Sequence, residues 1–266
     1  MLMSEDKRTC AEFVDTIDKL GTRLNTNTQY GDNELKTWLP PHLEVREGER
    51  ILDVGCGDGT QMRLVAETIK KDHMCIGIDN DPEMIAKAKR LSEGFTPAVD
   101  FMVMDMDAIG NDNSPFKDDE FDLMYSVYAF YYSQNEFKAL DGMKKKLKPE
   151  GRIAITGPYK DNNIDWFNFL NQYMDMADSI MASTTTFMEG IKKYADENFS
   201  NVRTNEFVNN ITLPSYEALK EYWVANIYYD PKYDEGFEKF ARKHFETNDK
   251  FTYFKKAQMI IMEGKK

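Results

Sequence analysis

The sequence predicts an α/β fold built on a doubly wound, mostly parallel sheet, and three observations predict it. Apolar strand-like runs alternate with helical patterns from residue 50 to residue 158, and with right-handed crossovers this alternation gives parallel strands with helices on both faces. The first strand, with Ile51, Leu52 and Val54, leads into Gly55, Gly57 and Gly59 at alternate positions. Met62, Leu64, Val65 and Ile69 then follow at helical spacing. Glycines on such a strand-to-helix turn accept the positive φ angles and close approach that let backbone lie against a ligand. The third observation is acidic: the first three strands end in or beside Asp53, Asp79 and Asp105.

The elements follow in order. A helix is expected over residues 4 to 24, with Phe13, Ile17, Leu20 and Leu24 on one apolar face. A second short helix, ELKTWL, is expected to stop at Pro40-Pro41, because proline lacks the amide a helix needs. After the glycine turn comes a second strand, MCIGID, ending in Asp79, and a helix opened by Pro82. Alone, Asp79 reads more readily as a helix N-cap, a role open also to Asn80 or Asp81, than as a ligand residue. VDFMVM forms the third strand and FDLMYSVYAFYY the fourth, with a polar, turn-rich loop at 110 to 120 between them. LKPEGRIAITGP supplies a fifth strand and the turn before it. Helical patterns fill 161 to 198, and 202 to 213 and 251 to 264 read as the last two strands.

The glycines are spaced GxGxG, with Asp53 two residues ahead, and not GxGxxG. A dinucleotide turn offers a helix N-terminus to a pyrophosphate and gains nothing from a carboxylate there, whereas a cationic ligand does. With the ordered acids that follow, residues 45 to 158 resemble the class I S-adenosylmethionine (SAM) dependent methyltransferases. The resemblance implies a Rossmann-like sheet of seven strands, the last antiparallel. It assigns Asp53, Gly55, Cys56, Gly57, Gly59 and Gln61 to the first cofactor turn, and Asp79, with Asn80 and Met84, to the ribose side. It places Asp105 on the adenine amino group, Met106 on the ring with Asp107 beside it, and Ser126 under the methionine moiety. Tyr30, with Trp38, is expected to cover the methionine end. Tyr128, Tyr131 and Tyr132 fall where the family often carries a His pair or aromatics beside the transferred methyl. The histidines, His42, His73 and His244, are few and poorly placed for a general base.

What results is an expected single methyltransferase domain: an N-terminal helical cap (1–44), a SAM-binding core (45–158), and a C-terminal half (159–266) with a helical lid at 214–250. From Pro214 to Phe254, 12 of 41 residues are Phe, Tyr or Trp, against 13% for the chain. Such an insertion suits an apolar cover that selects the acceptor, though Tyr216, Leu219, Trp223 and Ile227 share one helical face and can equally pack down.

Composition narrows the partners. A net charge of -12 over 266 residues repels a phosphate backbone, so nucleic acid is not expected as a partner. No run is long enough for a membrane span, and no apolar leader opens the sequence. Three scattered cysteines fit a reducing compartment and neither a disulfide framework nor a metal site, so the expected setting is cytoplasmic. The expected reaction is methyl transfer from SAM to an oxygen or nitrogen of a small molecule. The alternatives are a protein or tRNA acceptor, a NAD-dependent enzyme, or a SAM-binding fold member that does not methylate. Oligomeric state is not legible.

Overall fold

The computed structural model describes residues 17–69, 74–96, 98–175 and 178–266. Seven strands form one sheet: β1 (Arg50–Val54), β2 (Met74–Asp79), β3 (Val99–Val103), β4 (Phe121–Val127), β5 (Leu147–Pro158), β6 (Phe199–Leu213) and β7 (Phe251–Lys265). Their order is β3-β2-β1-β4-β5-β7-β6. The pairs from β3 across to β5 are parallel, and β7 runs antiparallel to β5, with Pro158 opposite Ala257. The expected seven-stranded, mostly parallel sheet is therefore present. Strand order reverses at β1, between β2 and β4. In an open α/β sheet that reversal opens a crevice at the carboxyl ends of the strands, where ligands bind.

The helices are α1 (Ile17–Gln29), α2 (Leu35–Leu43), α3 (Thr60–Glu67), α4 (Pro82–Leu91), α5 (Glu136–Lys146), α6 (Ile164–Leu170), α7 (Asp178–Asn198), α8 (Tyr216–Val224) and α9 (Asp234–Phe245). The chain divides into two compact units.

The larger unit comprises residues 35–159, 185–207 and 257–266. Its strands bury both faces, as continuous apolar runs such as ILDV and MCIGID require. Leu52, Ile78, Met124 and Ile155 pack beneath Leu140 and Met143 of α5 and Met188 and Ile191 of α7. Ile51, Leu123 and Ala154 pack against Leu39 of α2, Met62 of α3 and Ile85 of α4. Here α2 departs from expectation, since it runs on through Pro40 and Pro41 to Leu43. Two helical amide bonds are forfeited, but Leu39, Pro40 and Leu43 are buried. Arg152, 2% exposed, donates from Nε to Leu43 O at 2.9 Å and from Nη2 to Glu44 O at 2.7 Å, satisfying the carbonyls at the helix end. Its charge is matched by Glu49, whose two oxygens accept at 2.6 and 2.9 Å.

The smaller unit comprises, among the described residues, 17–34, 160–175, 178–184 and 208–256. Its core is aromatic. The Trp166 ring lies edge-on to Tyr222 at 4.9 Å, and Trp223 stacks on Phe237 at 5.6 Å while its Nε1 donates to Asp234 Oδ1 at 3.0 Å. Trp223 and Leu219 are fully buried. The aromatic excess of 214–250 is thus spent on this unit's own interior. The start of the expected N-terminal helix, including Phe13, lies outside the described residues. Within α1, Leu20 and Leu24 are 40% and 56% exposed, against the expected apolar face. Polar residues make the inward contacts instead. Arg23 donates to Ala225 O at 2.7 Å, Thr26 is buried, and Asn27 O accepts Asn209 Nδ2 at 3.0 Å.

The expected fourth strand also ends early. After Val127 the chain turns through Tyr128, which has φ 54°, into a short 3-10 turn at Phe130–Tyr132.

Candidate active site

All the elements described in this site belong to the larger unit. The glycine turn after β1 is tied to the end of β2 by Gly55 N and Cys56 N, which both donate to Ile78 O at 2.8 and 2.9 Å. Gly55, Gly57 and Gly59 have φ of 76°, 54° and 75°. A Cβ on Gly55 would sit 2.4 Å from the Ala129 Cβ, and one on Gly59 would sit 2.5 Å from the Phe101 ring. Packing therefore dictates those two glycines. Around Gly57 a Cβ would meet nothing within 4 Å, so its bare backbone borders open space.

Asp79 reaches back across this turn. Its Oδ2 accepts Gly57 N at 2.9 Å and its Oδ1 accepts Asp81 N at 3.0 Å, and the side chain stays partly exposed. The cap of α4 is Asp81, which accepts from Glu83 N and Met84 N, so Asp79 is released from the capping role. Asn80 is exposed beside it and Met84 half-buried.

Asp53 is only 1% exposed, and its Oδ2 accepts the Tyr125 hydroxyl at 3.1 Å. Burial pushes its carboxyl up to about 8; the Tyr125 bond opposes this and the Asp79 charge adds to it. Cys56 is buried, and burial, with the Asp53 charge second, holds its thiol well above the usual range. Two buried polar atoms here have no hydrogen-bond partner, Gln61 Oε1 on the first turn of α3 and Ser126 Oγ on β4.

On the other side of the crevice, Asp105 is exposed and its Oδ1 accepts Asp107 N at 2.9 Å, capping a 3-10 turn at Met106–Ala108. The Met106 Cε lies 3.6 Å from the place a Gly55 Cβ would take. Asp107 is engaged with protein: Oδ1 accepts Ser133 Oγ at 2.5 Å and Oδ2 accepts Gln134 N at 2.8 Å.

Beyond β4, Tyr128 N donates to Thr156 O at 2.9 Å, and burial holds the Tyr128 phenol well above its ordinary value, so it stays protonated at neutral pH. The Tyr131 and Tyr132 rings lie 4.6 Å apart, Tyr131 meets Phe187 edge-on at 6.1 Å, and Tyr132 is 73% exposed. Trp38 is stacked on His42 at 4.1 Å, and His42 Nδ1 lies 2.6 Å from Trp38 O. Tyr30 belongs to the smaller unit and packs against its aromatic core, where Thr212 N donates to Tyr30 O at 2.9 Å. His244, also in that unit, has Nε2 2.9 Å from Lys250 O, and His73 lies outside the described residues.

Sequence reasoning missed Tyr125, Ala129 and Ser133. Tyr125 reads as one more apolar strand residue, and only its phase with Asp53 across two parallel strands reveals the bond.

A strand-order reversal with a glycine turn, a carboxylate ending the second strand and a third acid-bearing turn define a class I methyltransferase core. Comparison with known proteins agrees. The model of a methyltransferase domain matches residues 46–218. The chain belongs to this family of class I, SAM-dependent methyltransferases. Aklanonic acid methyltransferase DauC of Streptomyces sp. (strain C5) is 35% identical over 112 residues, covering 42% of this chain and 49% of that protein. Phosphoethanolamine N-methyltransferase 3 of Arabidopsis thaliana is 32% identical over 114 residues, covering 43% and 22%. The chain spans about half the length, or less, of the curated relatives it matches. Among solved structures, YcgJ from Bacillus subtilis shares the fold with a TM-score of 0.53 at 18% identity, covering 85% of this chain and 96% of that one. A SAM-dependent methyltransferase from Aquifex aeolicus gives 0.51 at 16% identity, covering 71% and 88%.

Proposed function

We propose that this chain binds SAM and transfers its methyl group to an oxygen or nitrogen of a small molecule. The observation that carries the reading is Asp79, a partly exposed carboxylate bonded to the amide of Gly57, whose bare face borders open space. Each Asp79 oxygen keeps a lone pair for a ribose hydroxyl. Gln61 Oε1, buried without a donor, and Asp53 both suit an α-ammonium. Met106, half-buried near Gly55, offers an apolar surface for a purine.

When bound, SAM supplies a methyl already activated by its sulfonium. The protein's task is then to orient the acceptor and exclude water, and orientation alone can lower a barrier by about 7 to 11 kcal/mol. Tyr128 remains protonated, so it serves as a hydrogen-bond donor and not as a base. The ring faces of Tyr131 and Tyr132 favour a cationic neighbour by about 0.5 to 2 kcal/mol each. Small acceptors fit the net charge of -12, and aklanonic acid and phosphoethanolamine, named for two relatives, are small molecules. No described helix is long and apolar enough to cross a membrane.

Calorimetry with S-adenosylhomocysteine and with NAD tests the reading. The first should bind and the second should not, and Asp79→Ala should weaken binding at least tenfold, since about 1.4 kcal/mol suffices and charge-assisted bonds contribute about 1.5 to 3 kcal/mol each. Equal affinity in wild type and Asp79→Ala would remove Asp79 from the site.

A further inference from the structure

Residues 129–134 are anchored at both ends. At one end Ala129 lies so close to Gly55 that no side chain fits between them. At the other, Ser133 Oγ and Gln134 N both donate to the Asp107 carboxylate, at 2.5 and 2.8 Å. Ser133 is 2% exposed, and its hydroxyl also accepts Asn135 N at 3.1 Å, so the bond is built into the cap of α5, where Asn135 accepts Lys138 N. The turn that carries Asp107 is itself fixed. Asp105 caps it, and the Gly110 that follows is pressed against Gly142 of α5, where a Cβ on Gly110 would sit 2.6 Å from the Gly142 Cα. Between the two anchors lie Tyr131 and Tyr132.

We infer that Asp107 is a positioning residue: its carboxylate ties the turn after β3 to the segment after β4 and so holds Tyr131 and Tyr132 in place, instead of contacting the cofactor. The inference rests on the methyltransferase reading only for what the tyrosines serve. A carboxylate spanning a hydroxyl and an amide is specific, because each oxygen takes one donor and a charge-assisted bond is about twice as strong as a neutral one. An amide side chain at 107 keeps the shape, but it presents one acceptor where two are needed and sets an NH2 against a donor.

Hydrogen exchange of the full chain, with and without S-adenosylhomocysteine, tests the tie. In the ligand-free protein, Asp107→Asn and Ser133→Ala should each speed exchange of the amides at 132–135 at least tenfold. The double variant should add little to either single one, and Ser133→Thr, which keeps the hydroxyl, should restore slow exchange. Affinity for S-adenosylhomocysteine, measured by calorimetry, should stay within about threefold of wild type in Asp107→Asn. Unchanged exchange in Asp107→Asn and Ser133→Ala overturns the tie. A tenfold loss of affinity in Asp107→Asn without one in Ser133→Ala makes Asp107 a cofactor ligand and overturns it also. If wild type binds no S-adenosylhomocysteine, the proposed function fails, while ligand-free exchange still decides the tie.

Discussion

Replacing Asp53 by Asn should make the ligand-free protein lose markedly less stability as pH rises from about 5 to about 8. Asp53 is 1% exposed, its carboxylate accepts a hydrogen bond from the fully buried Tyr125, and burial lifts its carboxyl from 3.8 to about 8. The folded state therefore keeps a proton that the unfolded chain has already released. Between about pH 4 and pH 8 the native state binds more protons than the unfolded one, so this group lowers stability as pH rises through that window, and the full cost is present above it. At about 1.4 kcal/mol per unit, the upper bound is roughly 5 to 6 kcal/mol. Relaxation around the ionised group reduces it, and about 2 to 3 kcal/mol is the working figure. At about 2 to 4 °C per kcal/mol, this is a Tm difference of roughly 4 to 12 °C. Asn accepts from Tyr125 just as well and carries no charge.

Thermal melts and urea titrations of wild type and Asp53→Asn from pH 5 to pH 9, compared as a difference curve, cancel every other titrating group. Whatever constant cost the NH2 of the Asn carboxamide adds shifts that curve without bending it, because that group does not titrate. Its slope is the test. The variant should gain on wild type as pH rises towards 8 and then level off, and a flat difference from pH 5 to pH 9 would refute the reasoning. A bound cation should reverse the balance by holding Asp53 ionised, so S-adenosylhomocysteine should release protons on binding below pH 8 and do so less in the variant.

Two stability predictions accompany it. Glu49→Gln removes the charge facing Arg152 in a buried pair and should cost about 3 to 5 kcal/mol, read as a lower urea midpoint with unchanged m-value; a loss under about 1 kcal/mol would show that water reaches the guanidinium. Trp223→Ala should cost about 3 to 5 kcal/mol through the cavity left in the smaller unit's core, with little change in S-adenosylhomocysteine affinity; a stable variant would mean that the ring is not a core element.

What the sequence disclosed was what short-range chemistry determines. The glycine turn was legible because positive φ and an adjacent strand and helix leave a local signature, and Asp79 because it closes an apolar run. The capping aspartate at 81 was one candidate among neighbours, and only the pair of amides it accepts singles it out. Long-range pairings were not legible. Tyr125 is 72 positions from Asp53 and Ser133 is 26 from Asp107, and nothing in either local pattern marks a partner. Helix α2 crossed two prolines because Arg152, more than a hundred residues on, satisfies its end. Tyr216, Leu219 and Trp223 do share one face of α8, but Ile227 lies beyond its end at Val224, in the turn that follows. Periodicity says that a face is buried but not against what, and here the answer is Trp166 and Phe237.

The strand-order reversal explains why so few residues bear on this site. With β1 between β2 and β4, the turns that leave these strands emerge at one edge, and Gly55 and Ala129 bring the first and last of them into contact. Neither described histidine is presented as a free base, since His42 is stacked on Trp38 and His244 sits at a backbone carbonyl of the smaller unit. The Tyr128 phenol is held protonated. On the proposed reading, then, this edge contributes orientation and not proton abstraction. Acceptors that reach the site already deprotonated, or that shed a proton readily to water, are the ones it serves best, because Brønsted behaviour leaves a weakly acidic alcohol without help that only a base supplies.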